Sequence, residues 1–388
     1  MKMKVTALLE DIQRRGDSAV RLALRRFDGV DLNPTKWKIP LSRAKDALKN
    51  LPVDRRRTLE ESAQRVRAFH QAERRHAPAS WRERIGGTVV GQEVRPVEAV
   101  GAYVPGGRFA YPSTVLMTCI PARVAGVRRV VVCTPPKHLT DEVLAAAVLA
   151  EVDELYQIGG VAAVGAMAYG TKTVRPVDLL VGPGGAWVTE AKRQVFGTVG
   201  IDMLAGPSEV VVLADGSTPA EWVAADLMAQ AEHDPLARAT LISTDARVLS
   251  SVRQVVAPAA RGQCRFLKAR NWTEAVAQAN ALAPEHLALA LARPGTFVPL
   301  IRNAGAIFVG GTSPVAAGDY WAGPSHVLPT ARSARFSSGL SVHTFLKRTS
   351  VMEIPPSTMI KAAPVIARFA EAEGLRQHAL SARLRGKK

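Results

Sequence analysis

Cysteine is scarce in this chain of 388 residues: Cys119, Cys133 and Cys264 stand far apart and form no CxxC pair. A disulfide framework and a thiolate metal knuckle are excluded, and all three are expected as buried thiols. Long apolar runs are also missing. Residues 111–127 come closest, but Pro112, Pro121 and Arg123 interrupt them, short of the ~20 residues that a spanning helix needs. No membrane association is expected. Near the start, Glu10 and Asp11 stand where a secretory leader needs apolar residues, which predicts a cytoplasmic protein. Acids are few, 34 against 51 Lys and Arg, for a net charge of +17. That excess invites a nucleic-acid reading. Residues 1–84 concentrate it, with 21 Lys/Arg against 11 Asp/Glu and clusters at Arg14-Arg15, Arg25-Arg26, Arg55-Arg56-Arg57 and Arg74-Arg75. Within these clusters Leu59, Ala63, Val66 and Phe69 recur at helical spacing, so Arg55, Arg56, Arg65 and Arg74 read as the solvated side of an amphipathic helix. Aromatics, 5% of the chain, are too sparse there to stack bases, and no nucleic-acid partner is expected.

What is present is ordinary globular material: 47% hydrophobic residues, no low-complexity tract, and a length suited to two or three domains at ~150 residues each. From residue 128 onward β-branched runs alternate with helical patterns. Val130-Val131-Val132 precedes a helix over 142–151; 155–160 precedes one over 163–169; Leu179-Leu180-Val181 precedes one over 186–195. A second set has strands at 210–213, 240–242, 287–290 and 307–311, with helices at 220–232, 247–256 and 272–282. This rhythm predicts an α/β protein with two Rossmann-like parallel-sheet domains of similar design. After Pro329 strands are not expected, and 355–385 reads as helices broken at Gly374, an apolar-faced tail without a core of its own. Glycine-rich strand ends at Gly159-Gly160 and Gly182-Pro183-Gly184-Gly185 lead into helices and could cradle a phosphate or dinucleotide, although neither is GxGxxG.

Four of the eight histidines stand in patterns with chemical content. Gln230 and His233 are three apart at the end of a predicted helix, so two ligand-capable groups share one face. Glu285 and His286 adjoin ahead of an apolar run, pairing a carboxyl that can activate water with an imidazole that can accept an alcohol proton. Asp319 and His326 flank a Gly- and Pro-framed loop near a strand end, and Glu373 and His378 flank the helix break at Gly374.

In combination these patterns resemble the histidinol dehydrogenases over residues 5–385. The resemblance rests on Gly101-Ala102-Tyr103-Val104-Pro105-Gly106-Gly107, Thr189-Glu190-Ala191-Lys192-Arg193-Gln194-Val195 and Ala205-Gly206-Pro207-Ser208-Glu209-Val210. It continues through Gln230-Ala231-Glu232-His233, Pro284-Glu285-His286-Leu287, Ala317-Gly318-Asp319-Tyr320, Ser325-His326-Val327-Leu328-Pro329-Thr330 and Glu373-Gly374-Leu375. It implies zinc held by Gln230, His233 and Asp319 of one subunit and His378 of the other, in a homodimer with shared sites. It also implies that Ser208, His326 and Glu373, with the metal ligands and His286, bind the substrate L-histidinol, and that Tyr103 lies at the NAD site. The implied reaction is oxidation of L-histidinol through a bound aldehyde to L-histidine with two NAD and one water, Glu285 and His286 being catalytic. The implied domains are 1–102 with 209–335 for metal and catalysis, an inserted 103–208 on the cofactor side, and a helical tail, 336–388, exchanged between subunits.

The chain departs from the family pattern where relatives carry amides, with Ala162 for Gln and Gly185 for Asn, so weaker cofactor binding at Ala162 and Gly185 is expected. A helical N-terminal extension carried by many members is also expected to be missing. Three other readings compete. A paralogous zinc- and NAD-dependent dehydrogenase of a sulfonated propanediol fits His326 and Glu373 poorly. A nucleic-acid-binding protein on an inactive dehydrogenase fold is disfavoured by the intact acid/base and ligand positions. A cysteine-dependent aldehyde dehydrogenase needs Cys119 as nucleophile, and Cys119 has no His or Lys activator nearby in sequence.

Overall fold

A computed structural model describes residues 1–106 and 110–387, except for the side chain of His233. Gly107, last in its motif, lies outside the described residues. The chain divides into two units, Met1–Arg75 with Val97–Phe345, and His76–Pro96 with Leu346–Lys388.

The first unit contains both expected sheets. One has six strands in the order Lys38–Ile39, Glu154–Tyr156, Arg129–Cys133, Ala99–Tyr103, Leu179–Val181, Gly200–Ile201, parallel throughout except for the short first strand. The other has five parallel strands, Cys264–Lys268, Arg238–Ser243, Glu209–Ala214, His286–Ala290, Ala306–Val309. Their central strands are covered on both faces, which is why they read as unbroken Val and Leu runs: Val130, Val131 and Val132 are wholly buried. Two helices of the second sheet start where a side chain replaces the missing backbone acceptors. The Asn271 carboxamide accepts the Glu274 N–H at 2.9 Å ahead of Trp272–Leu282, and Asp245 accepts the Arg247 N–H ahead of Ala246–Val255. Chain order reverses between Ala99–Tyr103 and Leu179–Val181, and again between Glu209–Ala214 and His286–Ala290. These two crevices are the topological switch points.

The sheets partition the chain differently from the expected segments. Ala99–Tyr103 is central in the first sheet, and Val5, Leu9 and Ile12 of the helix Lys2–Arg15 are buried in that sheet's core. Residues 5–39 therefore build on the first sheet, whereas His76–Pro96 belong to the second unit. The reason is close packing: a Cβ at Gly165 of the helix Gly160–Tyr169 would stand 2.8 Å from Ile12 Cδ1, so glycine there lets the two helices meet.

In the second unit, Leu346–Glu353, Thr88–Pro96 and Trp81–Ile85 form an antiparallel three-stranded sheet, in register from Leu346↔Pro96 to Glu353↔Val89. The tail is therefore not purely helical, correcting the expectation that strands end at Pro329. The unbroken polar run Lys347-Arg348-Thr349-Ser350 concealed this edge strand. The helices Pro356–Ala372 and Arg376–Arg385 follow, with Gly374 at φ +78° between them. They share a small core of Ala367, Ala370 and Ala379, and leave Val365, Phe369 and Leu384 more than half exposed.

Candidate functional site

The acid–base pair is built by strand register. His286 lies opposite Val210 in neighbouring parallel strands, which brings Glu285 beside Glu209 at the N-terminal edge of the second sheet. The Glu209 N–H donates to Glu285 Oε2 at 3.0 Å, and the Ser208 hydroxyl donates to the same carboxylate. Burial pushes Glu285 up to about 8, the charges of Asp319 and Glu209 add to the rise, and those two donors only partly offset it. His286 is also buried, its Nδ1 3.7 Å from Glu285 Oε2 and its ring 5.8 Å from that of Phe308. A buried imidazole and a carboxyl near its protonation midpoint are suited to two different proton transfers.

Gln230 is buried on the helix Ala220–His233, and among the described residues its Nε2 has no hydrogen-bond partner. A buried amide N–H donor left incomplete in this way is suited to a bound group that accepts a hydrogen bond. Asp319 sits on the short helix Val315–Tyr320, with Oδ1 3.8 Å from His326 Nδ1. His326 Nε2 lies 3.2 Å from Thr114 Oγ1, and Ser325 Oγ donates to the Met117 carbonyl, so the loop carrying His326 is fastened to the helix Pro112–Ala125. Ser208, Gln230, Glu285, His286, Asp319 and His326 thus belong to the first unit. His233 ends the same helix as Gln230, while its side chain lies outside the described part of the structure. Among the described residues no three His, Cys, Asp or Glu side chains form a metal cluster. Glu373 and His378 belong to the second unit, where both line an apolar groove of about 330 Å³ with Val365, Ile366 and Phe369.

The expected cofactor residues lie along the first sheet. Tyr103 is buried at the end of its strand, accepts the Gly160 N–H at 3.1 Å, and is pushed up to about 12 by burial. Ala162 faces the core of that sheet, whereas Gly185 is exposed, with nothing within 4 Å of where a Cβ would lie.

Several contributors were not legible in the sequence. Thr114, at the start of another sheet's helix, supports His326 from 212 residues away. Asp226, raised to about 6 by burial, accepts the Val315 N–H and so links the helix of Gln230 to that of Asp319. Asp28 stands with Oδ1 2.8 Å from where a Cβ on Gly159 would lie, a carboxylate at the glycine turn. Arg65, expected on the solvated side of its helix, lies over the Trp321 ring at 3.4 Å from its centroid.

The raised Glu285 carboxyl has a testable consequence in metal-free protein. Between about 4.5 and about 8 the folded state keeps a proton that the unfolded chain has released, so stability falls as pH rises through that window. Glu285→Gln lacks this loss. Its Tm relative to the parent chain is expected to increase steadily from pH 5 to pH 8.5, read by thermal denaturation with a chelator present; a difference independent of pH contradicts the assignment.

Fold and site together define a two-sheet α/β enzyme with a buried carboxyl–imidazole pair at a sheet edge. The histidinol dehydrogenase family model matches residues 1–386. The chain belongs to the histidinol dehydrogenase family, and is thus an oxidoreductase. It is 46% identical to the histidinol dehydrogenase of Cupriavidus pinatubonensis over 99% of this chain and 90% of that protein, and 47% identical to that of Dechloromonas aromatica over 98% and 91%. The crystal structure of histidinol dehydrogenase from Elizabethkingia anophelis superposes with a TM-score of 0.90 at 33% identity, covering 98% of this chain and 91% of that one. These likenesses give the sulfonated-propanediol alternative no support. An acetylating aldehyde dehydrogenase from Geobacillus thermoglucosidasius, 13% identical with a TM-score of 0.50, shares the fold alone. The nucleophile of that third reading is absent in effect, because Cys119 is fully buried and pushed up to about 12.

Proposed function

We propose that this chain oxidises L-histidinol through its bound aldehyde to L-histidine, with two NAD and one water, in the last steps of histidine biosynthesis. The observation that carries the reading is the buried Glu285–His286 pair, with Ser208 bonded to Glu285, the charge of Asp319 acting on it, and His326 3.8 Å from Asp319. His286 accepts the alcohol proton of the first oxidation and that of the hydrated aldehyde in the second. Glu285 takes a proton from the water that adds to the aldehyde. Ser208 and Glu209 hold the Glu285 carboxylate in place through their donors.

Gln230 through its Oε1, His233 and Asp319 of one subunit and the partner subunit's His378 would hold zinc, a nitrogen and oxygen donor set suited to that ion. Zinc supplies a Lewis acid that orients an amino alcohol, and NAD supplies the hydride acceptor. His326 and the partner subunit's Glu373 complete the substrate's polar contacts. Tyr103 and Gly185 mark the NAD edge, with Ala162 in the core behind it, and Asp28 would accept hydrogen bonds from ribose hydroxyls there. The reading makes the protein a cytoplasmic homodimer. The exposed apolar groove that contains Glu373 and His378 supports pairing of subunits.

Two equivalents of NADH per L-histidinol, with L-histidine as product, are the expected result. Chelation should abolish turnover with the fold retained, and His233→Ala should lose zinc by metal analysis. One equivalent, or zinc content unchanged in His233→Ala, refutes the corresponding part.

The two missing amides are expected to behave differently when restored. Gly185 has φ −64° at the N-cap of Ala186–Val195 and open space around it, so Gly185→Asn is accommodated and can reach the cofactor edge. One added hydrogen bond at about 1 kcal/mol lowers the apparent NAD constant several-fold. Ala162→Gln forces a carboxamide into the core and is expected to lower Tm without tightening NAD. Steady-state NAD titrations and melting curves of the two single variants decide the matter.

A further inference from the structure

The arginine-rich start of the chain takes no part in the chemistry above, and its end forms a distinct cleft. A cavity of about 480 Å³ in the first unit is lined by Arg67, Gln71, Arg74 and Arg75 on one side, and by Arg123, Val124 and Glu151 on the other. On the helix Val53–His76 the four residues are spaced i, i+4, i+7, i+8, which is one face, with Arg67 and Arg74 two turns and about 10 Å apart.

Two of the four guanidinium groups are committed to structure. Arg67 donates to the Leu149 carbonyl at 2.9 Å and pairs with Glu151 at 3.0 Å. Arg123 donates to the carbonyls of Val127 and Arg128 at 3.0 Å and pairs with Asp153. Arg67 thereby completes the end of the helix Asp141–Leu149, Arg123 fastens the turn that follows Pro112–Ala125, and both are held in place. Arg74 and Arg75 differ: among the described residues they form no salt bridge and no side-chain hydrogen bond. One carboxylate, that of Glu151, lines the cleft against four guanidinium groups. Like charges gathered around a concave surface, two of them fixed and two unsatisfied, form a preorganised anion receptor.

We propose that this cleft binds a small molecule carrying two or more linked phosphate groups. The volume exceeds that of a single phosphate and falls in the range of small-molecule sites. Guanidinium forks match phosphate oxygens in pairs, and the two uncommitted forks of Arg74 and Arg75, beside the fixed charges of Arg67 and Arg123, suit linked phosphates better than one compact anion. The site is separate from the catalytic one, since Arg123 and Val124 lie near the C-terminal end of the helix whose first turn carries Thr114 beside His326. Ten residues of helix, about 15 Å, separate Thr114 from Val124.

Calorimetric titration of the full-length protein with inorganic pyrophosphate, ADP and citrate tests the assignment. One saturable equivalent of pyrophosphate or ADP per chain is expected, tighter than citrate, with ADP tighter than pyrophosphate only if the source is a nucleotide. Arg74→Ala with Arg75→Ala should weaken binding at least tenfold. Glu151→Gln removes the opposing charge and frees Arg67, so it should tighten binding several-fold, a gain that damaged folding cannot imitate. The control Arg43→Ala with Arg57→Ala lowers the net charge equally and should stay within twofold. Binding that survives the Arg74/Arg75 double substitution belongs to the cofactor edge and overturns the proposal. Equal weakening in the control, no gain in Glu151→Gln, or citrate binding as tightly as pyrophosphate overturns it as well.

Discussion

His286→Ala is expected to depress both oxidations by roughly 10²- to 10⁴-fold, whereas Glu285→Gln should do so mainly on the aldehyde-to-acid half. The difference follows from what each side chain can reach and which protons must move. Removing hydride from an alcohol, and later from an aldehyde hydrate, leaves an O–H proton to be accepted each time, and a buried imidazole is the available base. Only the intervening hydration needs a proton taken from water. Glu285 suits that step because it is buried, anchored by the Glu209 N–H at 3.0 Å and by Ser208, and pushed up to about 8. A carboxylate with so raised a proton affinity is a stronger base than an exposed one. Glutamine keeps the shape and can still accept the Glu209 N–H, but cannot take a proton. Rates on L-histidinol and on L-histidinal, measured separately for both variants, give the answer. If Glu285→Gln matched the parent chain on L-histidinal, the water-activating role would be withdrawn.

The parallel sheets were legible because strands covered on both faces must be apolar throughout and helices must carry a 3.6-residue stripe. Ala186–Val195 and Trp272–Leu282 appear at the boundaries read from sequence. Cys264–Lys268 escaped notice since its edge position leaves Arg265 and Lys268 exposed, and Leu346–Glu353 escaped for a similar reason. Ala99–Tyr103 was hidden by small residues. A Cβ at Gly101 would stand 2.6 Å from Met167 Sδ, so tight packing required a residue that carries no strand signal. The acid–base pair stood out as adjacent letters, but its location did not. Glycine turns point to the C-terminal edge of the first sheet, whereas Glu209, Glu285 and His286 occupy the N-terminal edge of the second, where the helix carrying Gln230 ends. Thr114, Asp226 and Arg65 act through partners far away in sequence, and no local pattern announces such a contact. Ala162 shows the converse: its place in a family motif pointed to the cofactor, and its burial assigns it to the core.

The tail yields the second large effect, full loss of activity in two variants and its return on mixing them. Glu373 and His378, proposed above as substrate and zinc residues, line one apolar groove on two helices whose shared core is three alanines. Val365, Phe369 and Leu384 remain mostly exposed there, more apolar surface than two short helices tolerate without a partner. The proposed symmetric homodimer, exchanging these segments, would cover the surface and deliver both side chains to the other chain's site. His233→Ala then has a defective core site and a sound tail, and His378→Ala the reverse, so each homodimer is inactive. In a mixed dimer one site collects both lesions and the other collects neither. Random reassortment makes half of the dimers mixed, so about a quarter of wild-type sites should be recovered. Subunit exchange verified by mass spectrometry and followed by NADH production measures this fraction. An inactive mixture after complete exchange would show that each tail serves its own chain, and Glu373 and His378 would then have to reach the site of the same subunit.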